Sequence, residues 1–237
     1  MPYPLIFIVK TQFGIPFCHI LNGYLSSTNK SHSCHTYRMS IHSFLYGYVG
    51  GWLRGRRQRW VEKNFTDCRR VIDIGGAPGT WADSPLAIDV TLLNVLPKSA
   101  ICPLPFPYVQ ADARAVPFAD LTFDLAFSNS AIEHVGGLAD QQRFASEMLR
   151  IGGHIYCQTP NRWFLVEPHH LGLFLHWLPK TWFTAGVHRW LTINGWRGKR
   201  REMIRFLTRR ELRALFPGCQ IRIERFLCWP KSYAVWR

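Results

Sequence analysis

The chain has 237 residues and carries 29 Lys and Arg against 15 Asp and Glu, for a formal net charge of +14 and a pI near 9.9. That length suits one α/β domain with additions, and a 47% hydrophobic content is ordinary for a soluble protein that buries a sizeable core. Seven scattered cysteines with no C-x-x-C pair exclude a disulfide framework and point to reduced thiols in a cytosolic setting, while the basic excess calls for an anionic partner: nucleic acid, an acidic membrane surface or an anionic substrate.

Residues 1–38 read as a poorly ordered N-terminal extension. The apolar run Leu5–Val9 is cut by Lys10, Gln12 and Pro16, so it is too short to span a bilayer and lacks the flanks of a signal peptide. Cys18, His19, His32, Cys34 and His35 have the spacing of no standard zinc finger, and no metal is expected. Met39 is an alternative start. From there, Ser43–Phe65 reads as a helix, with Phe44, Tyr48, Trp52 and Trp60 near helical spacing and arginines between them. Gly47, Gly50, Gly51 and Gly55 oppose it, each costing up to about 1 kcal/mol in a helix interior.

Val71–Ile74 is a short β-branched run that ends in Gly75 and Gly76, with Gly79 close behind. It suits a strand buried on both faces, followed by a turn whose main chain a ligand can approach. A second apolar stretch, Leu86–Asp89, leaves only residues 80–85 for the crossover, fewer than a parallel connection normally uses, so a turn and a loop capped by Trp81 are expected there. Thr91–Phe106 reads as a Pro-rich loop, followed by a short third strand. The sequence then presents Val109-Gln110-Ala111-Asp112-Ala113-Arg114, an apolar strand from Phe123 to Ser128, and a loop containing Glu133-His134. Asp140–Leu149 is an amphipathic helix, Ile151–Tyr156 a glycine turn and fifth strand, and Leu171–Leu178 and Lys180–Ile193 two Trp-rich apolar segments. Thr208-Arg209-Arg210-Glu211 forms a capping box opening a helix to Leu215, and Ile221–Phe226 and Tyr233–Trp236 read as strands.

The D-x-G-x-x-x-G turn at Asp73, followed in order by the Asp89, Asp112, Phe123–Val135 and Ile151–Tyr156 segments, resembles the class I S-adenosylmethionine-dependent methyltransferases. The nearest subgroup is the small-molecule enzymes called type 11. The resemblance covers residues 69–165. It implies an α/β, Rossmann-like fold with a seven-stranded, mainly parallel sheet and helices on both faces, within a domain from residue 39 to 237 that carries a basic, aromatic helical insertion at 166–207. It also implies S-adenosyl-L-methionine as cofactor. Asp73, Gly75, Gly76 and Gly79 would form its cradle, Asp89 would take the ribose hydroxyls, and Asp112 and the Ala113 amide would read adenine, with Ser128 alongside. Methyl transfer is an in-line displacement and needs a base only when the acceptor must lose a proton early.

His134, His169 and His170 are the candidate bases, weighed against plain hydrogen bonding in their loops. Some relatives carry E-x-x-E-H with a metal; Ser130 replaces its first glutamate, so no metal is expected. Fifteen Lys and Arg but four Asp and Glu follow Pro160. Arg197, Lys199, Arg200, Arg201 and Arg205 lie near Trp177, Trp182, Trp190 and Trp196, a mixture that suits an anionic membrane surface or a lipid or glycan substrate. The expected activity is methylation of a small-molecule, lipid or glycan acceptor by a cytoplasmic, peripherally membrane-bound enzyme. The alternatives are an RNA methyltransferase, for which no N-P-P-[YF] motif is present, and a cofactor-binding module without catalysis, favoured by the short crossover.

Overall fold

The computed structural model describes residues 41–76, 80–81, 84, 89–98, 106–164, 166–167, 172–173, 204–226 and 228–237, with backbone alone at 41–50, 166–167 and 172–173. The extension expected over 1–38 and most of the insertion expected over 166–207 lie outside the described residues. The chain divides into a unit from Val9 to Asn64 and a unit holding Phe65–Arg237.

In the first unit the expected helix is present as α1 (Ile41–Asn64), unbroken across its glycines. The Arg56 guanidinium lies over the Trp52 ring at 4.9 Å, and near the helix end the Asn64 amide donates to the Trp60 carbonyl at 2.7 Å. A Cβ at Gly55 would meet only the tip of the Arg59 side chain, at 3.6 Å. Gly55→Ala is therefore expected to stabilise α1 by about 0.5–1 kcal/mol, seen as a rise of a few degrees in a circular-dichroism melt. A lower midpoint would show that this helix position has no room for a methyl group.

The second unit is built on β1 (Arg70–Ile74), β2 (Asp89–Asn94), β3 (Tyr108–Gln110), β4 (Phe123–Asn129), α2 (Leu138–Ile151), β5 (Gly152–Pro160), β6 (Val166–Glu167), β7 (Gly172–Leu173), α3 (Arg209–Leu215), β8 (Gln220–Phe226) and β9 (Trp229–Trp236). Seven strands form one sheet in the order β3-β2-β1-β4-β5-β9-β8. β1 to β5 are parallel, and β9 and β8, which contain the stretches read as strands at 221–226 and 233–236, close the sheet antiparallel. The apolar runs of β1 and β4 are buried on both faces, which is what a parallel sheet covered on both sides requires. Phe144, Met148 and Ile151 of α2 share a core with Ile72, Ile74, Ile155 and Val235 of the sheet. The expected capping box opens α3: Thr208 Oγ1 accepts from the Glu211 amide at 3.2 Å, and Glu211 accepts from the Thr208 amide at 2.7 Å.

Two expectations are corrected. β2 begins at Asp89 and runs through Asn94, with Arg70 opposite Asp89 and Ile74 opposite Leu93. The connection from β1 is thus the whole of 75–88, an ordinary crossover length, and the Pro-rich loop starts only after Asn94. The insertion, expected to be helical after a polar turn at Pro168, also holds a short antiparallel strand pair, β6 and β7, that no sequence pattern signalled.

Candidate functional site

Because β1 to β5 run parallel, their carboxyl ends lie along one edge of the sheet. The strand order reverses direction between β1 and β4, and in open α/β sheets such a switch point is where ligands bind. The Gly75-Gly76 turn sits there. Gly75 has φ of 75°, and a Cβ on it would lie 2.5 Å from Cβ of Ala131, which follows β4. A Cβ on Gly76 would lie 2.5 Å from Cγ of Asp73. The turn therefore passes against the Asp73 carboxyl on one side and the β4 exit on the other, and only glycine fits at either position. Its register is held by the Gly75 amide donating to the Leu93 carbonyl at 2.8 Å.

Asp73 is 1% exposed. Its Oδ2 accepts from the Trp81 indole N–H at 2.8 Å, while its buried Oδ1 has no hydrogen-bond partner. Burial pushes this carboxyl from the ordinary range up to about 7, with the Trp81 hydrogen bond pulling the other way. Trp81 packs edge-on to Phe127 of β4 at 5.0 Å between centroids, so the side chain expected to cap the crossover also orients the acid.

The remaining expected site residues separate into those at this edge and those away from it. Asp112 follows β3, but Arg114 Nε donates to both of its oxygens, at 2.9 and 3.0 Å, and Arg114 also reaches Asp140 at 2.9 Å. These bonds hold the Asp112 carboxyl below the usual carboxylate range. Ala113 lies half-buried beside it. Ser128 is fully buried and donates to the Ile74 carbonyl at 3.0 Å, clamping β4 to β1 beneath the turn. His134 ends a short 3-10 turn, Ile132–His134, whose buried Glu133 accepts from Thr159 Oγ1 at 3.0 Å. Asp89 is corrected: its pairing with Arg70 puts it at the amino end of β2, across the sheet from the glycine turn, so it is not placed to take a ribose diol. Gly79, His169 and His170 lie outside the described residues.

Asn94 stands at the carboxyl end of β2, where an acid was expected. It is 2% exposed; its amide donates to the Gly76 carbonyl at 3.4 Å and its Oδ1 accepts from the Leu96 amide at 3.2 Å. The minimum length of a parallel crossover was the signal that could have located it. Asn94→Ala is expected to cost about 1–3 kcal/mol of stability, since it strips a buried hydrogen-bonding group. Asp89→Ala, exposed and remote, is expected to change ligand affinity by less than about 0.5 kcal/mol. Calorimetry on both variants checks the assignment, and a large loss of affinity on changing Asp89 would reverse it.

Residues 85–157 match the family model described as a methyltransferase domain. A malonyl-[acyl-carrier protein] O-methyltransferase from Enterobacter lignolyticus is 36% identical over 92 residues, 35% of this chain and 36% of that protein. An uncharacterised methyltransferase from Mycolicibacterium vanbaalenii is 34% identical over 89 residues, 34% of each chain. The chain thus spans about a third of the length of these curated relatives. Among solved structures, a SAM-dependent methyltransferase from Archaeoglobus fulgidus aligns with a TM-score of 0.52 at 14% identity, covering 83% of this chain and 99% of that one. An S-adenosylmethionine-dependent methyltransferase from Mesorhizobium loti aligns with a TM-score of 0.50 at 18% identity, covering 79% and 98%.

Proposed function

This chain has the class I S-adenosylmethionine-dependent methyltransferase fold, and from that premise we propose that it transfers a methyl group from S-adenosylmethionine to a small-molecule, lipid or glycan acceptor. The observation that carries the reading is the orphaned, buried Asp73 Oδ1 beneath a turn where neither Gly75 nor Gly76 has room for a Cβ. A carboxyl beneath a turn that carries no side chains suits a ligand that is cationic and lies flat against the backbone.

When bound, the cofactor supplies an electrophilic methyl on a sulfonium, open to in-line displacement. The chain's own contribution is positioning. Gly75 and Gly76 let the ligand approach the main chain, and Asp73, oriented by Trp81, places negative charge beside it. Asn94 brings an amide, donor and acceptor together, to the end of β2, where a carboxylate would only accept. Asp112, proposed to read adenine, is bonded to Arg114, so the two would act there as a unit. His134 is held by the 3-10 turn after β4 and is the described candidate for taking an acceptor proton.

Two other readings have weaker support. A binding module without catalysis rested on a short crossover, and the connection is of ordinary length. An RNA methyltransferase would use the same basic surface, but Ser128-Asn129-Ser130-Ala131 lacks the motif of that class. Among the described residues no helix is long and apolar enough to cross a membrane. The deciding experiment is calorimetry with S-adenosylmethionine and its demethylated product, then radiolabel transfer over lipid, small-molecule and RNA extracts. Label in lipid or small molecules is the expected result. Label in RNA alone would replace the acceptor class, and binding without transfer would leave a binding module.

A further inference from the structure

The tips of β5, β9 and β8 come together at the carboxyl edge of the sheet, the edge that also carries the glycine turn. β5 is parallel to β4 and ends there, and the antiparallel hairpin of β8 and β9 turns there. The chain leaving β5 is sewn to the start of β9: the Asn161 amide nitrogen donates to the Lys231 carbonyl at 2.9 Å and its side chain to the Pro230 carbonyl at 2.7 Å. Phe164 packs edge-on to Phe226, and Phe226 is the cross-strand partner of Trp229.

Two large side chains stay outside this small apolar base. Trp163 is 55% exposed and Trp229 is 47% exposed. Arg162, Arg225 and Lys231 lie in the same two segments, and neither 160–164 nor 225–231 contains an acidic residue. A register shift at Glu224/Arg225 breaks the ladder there, and such bulges re-aim side chains at a strand end.

We propose that this tip, Arg162-Trp163 with Arg225, Trp229 and Lys231, is a docking surface for an anionic lipid membrane. Exposed indoles beside basic side chains are what an anionic lipid–water interface accepts, because the rings enter the headgroup boundary while their N–H groups stay wet and the cations meet lipid phosphates. Stacking of RNA bases is the competing use of exposed tryptophans. It fits less well here, since the Arg162 guanidinium already lies 5.5 Å over the Trp163 ring and covers one of its faces. The docking stands by itself; that it turns the acceptor side of the enzyme toward lipid rests on the methyltransferase reading.

The test is co-flotation of the full chain with vesicles of phosphatidylcholine alone or mixed with phosphatidylserine. Binding is expected only with phosphatidylserine. The pair Arg162→Ser and Arg225→Ser should weaken it roughly thirtyfold, at about fivefold per basic residue. The pair Trp163→Ser and Trp229→Ser should weaken it on the order of tenfold or more. Both arginines are exposed, so that variant is expected to keep its melting temperature and its S-adenosylmethionine affinity. Flotation unchanged in both variants, no flotation of the unaltered chain, or dependence of single-stranded RNA binding on these same four residues would each overturn the proposal. A chain that floats as expected yet binds no cofactor would keep the docking surface and remove the methyltransferase reading.

Discussion

Gly75→Val is expected to abolish cofactor binding and to lower the melting temperature by roughly 5–15 °C. Two costs combine at this position. A β-branched residue at φ of 75° is strained by about 1–2 kcal/mol, and its Cβ would lie 2.5 Å from that of Ala131, adding an overpacking cost of about 1–3 kcal/mol. The new side chain points at the exit of β4, so the turn itself must move, and with it the main chain that a ligand would lie on. Gly218 separates the two costs. It has the same φ of 75°, but an added Cβ there meets nothing within 4 Å. Gly218→Ala should therefore cost only about 1 kcal/mol and leave binding intact. Scanning fluorimetry and calorimetry on the two variants read both effects. A folded Gly75→Val protein with unchanged affinity would remove the glycine turn from the site.

Much of this architecture is written in local pattern. The apolar runs of β1 and β4, the Thr208–Glu211 capping box and the alternation of β8 each depend on neighbours in sequence, and each appears where that pattern puts it. β2 was obscured because Asp89 closes one apolar stretch while opening another, and because Thr91 interrupts Val90–Leu93. The length a crossover needs decides between the two, and it favours Asn94 as the strand's end. The contacts that define the site are less legible still. Trp81 and Asp73 meet across eight positions of sequence that show no pairing pattern, and Asp112 with Arg114, two residues apart, pair only in a turn that also brings in Asp140 from α2. Such contacts depend on backbone reversals that leave no periodicity to read.

Asp73→Asn is expected to stabilise the ligand-free protein above about pH 7 and at the same time to weaken cofactor binding at least tenfold. Burial raises the folded Asp73 carboxyl from 3.8 to about 7. Between those values the folded protein holds a proton that the unfolded chain has released. The stabilising contribution is complete below the lower value and is lost as pH climbs through the upper one, so this residue makes the fold progressively weaker from about pH 4 to about pH 7. Asparagine keeps an oxygen to accept from Trp81 Nε1 and carries no charge, so the loss across that window should flatten and the melting temperature at about pH 8 should rise by several degrees. The same neutral group cannot complement a cationic ligand. Affinity of the unaltered protein is thus expected to strengthen as pH rises through about 7, and affinity of the asparagine variant to stay flat. Trp81→Phe removes the N–H that favours the ionised carboxylate, which raises Asp73 further and moves the affinity transition to higher pH. Melts and calorimetry from about pH 6 to about pH 8 on all three proteins decide the matter. An asparagine variant that binds as tightly as the unaltered chain would show that Asp73 serves the fold alone. The opposite signs expected for stability and affinity mark a group kept for its ligand at the expense of the fold around it.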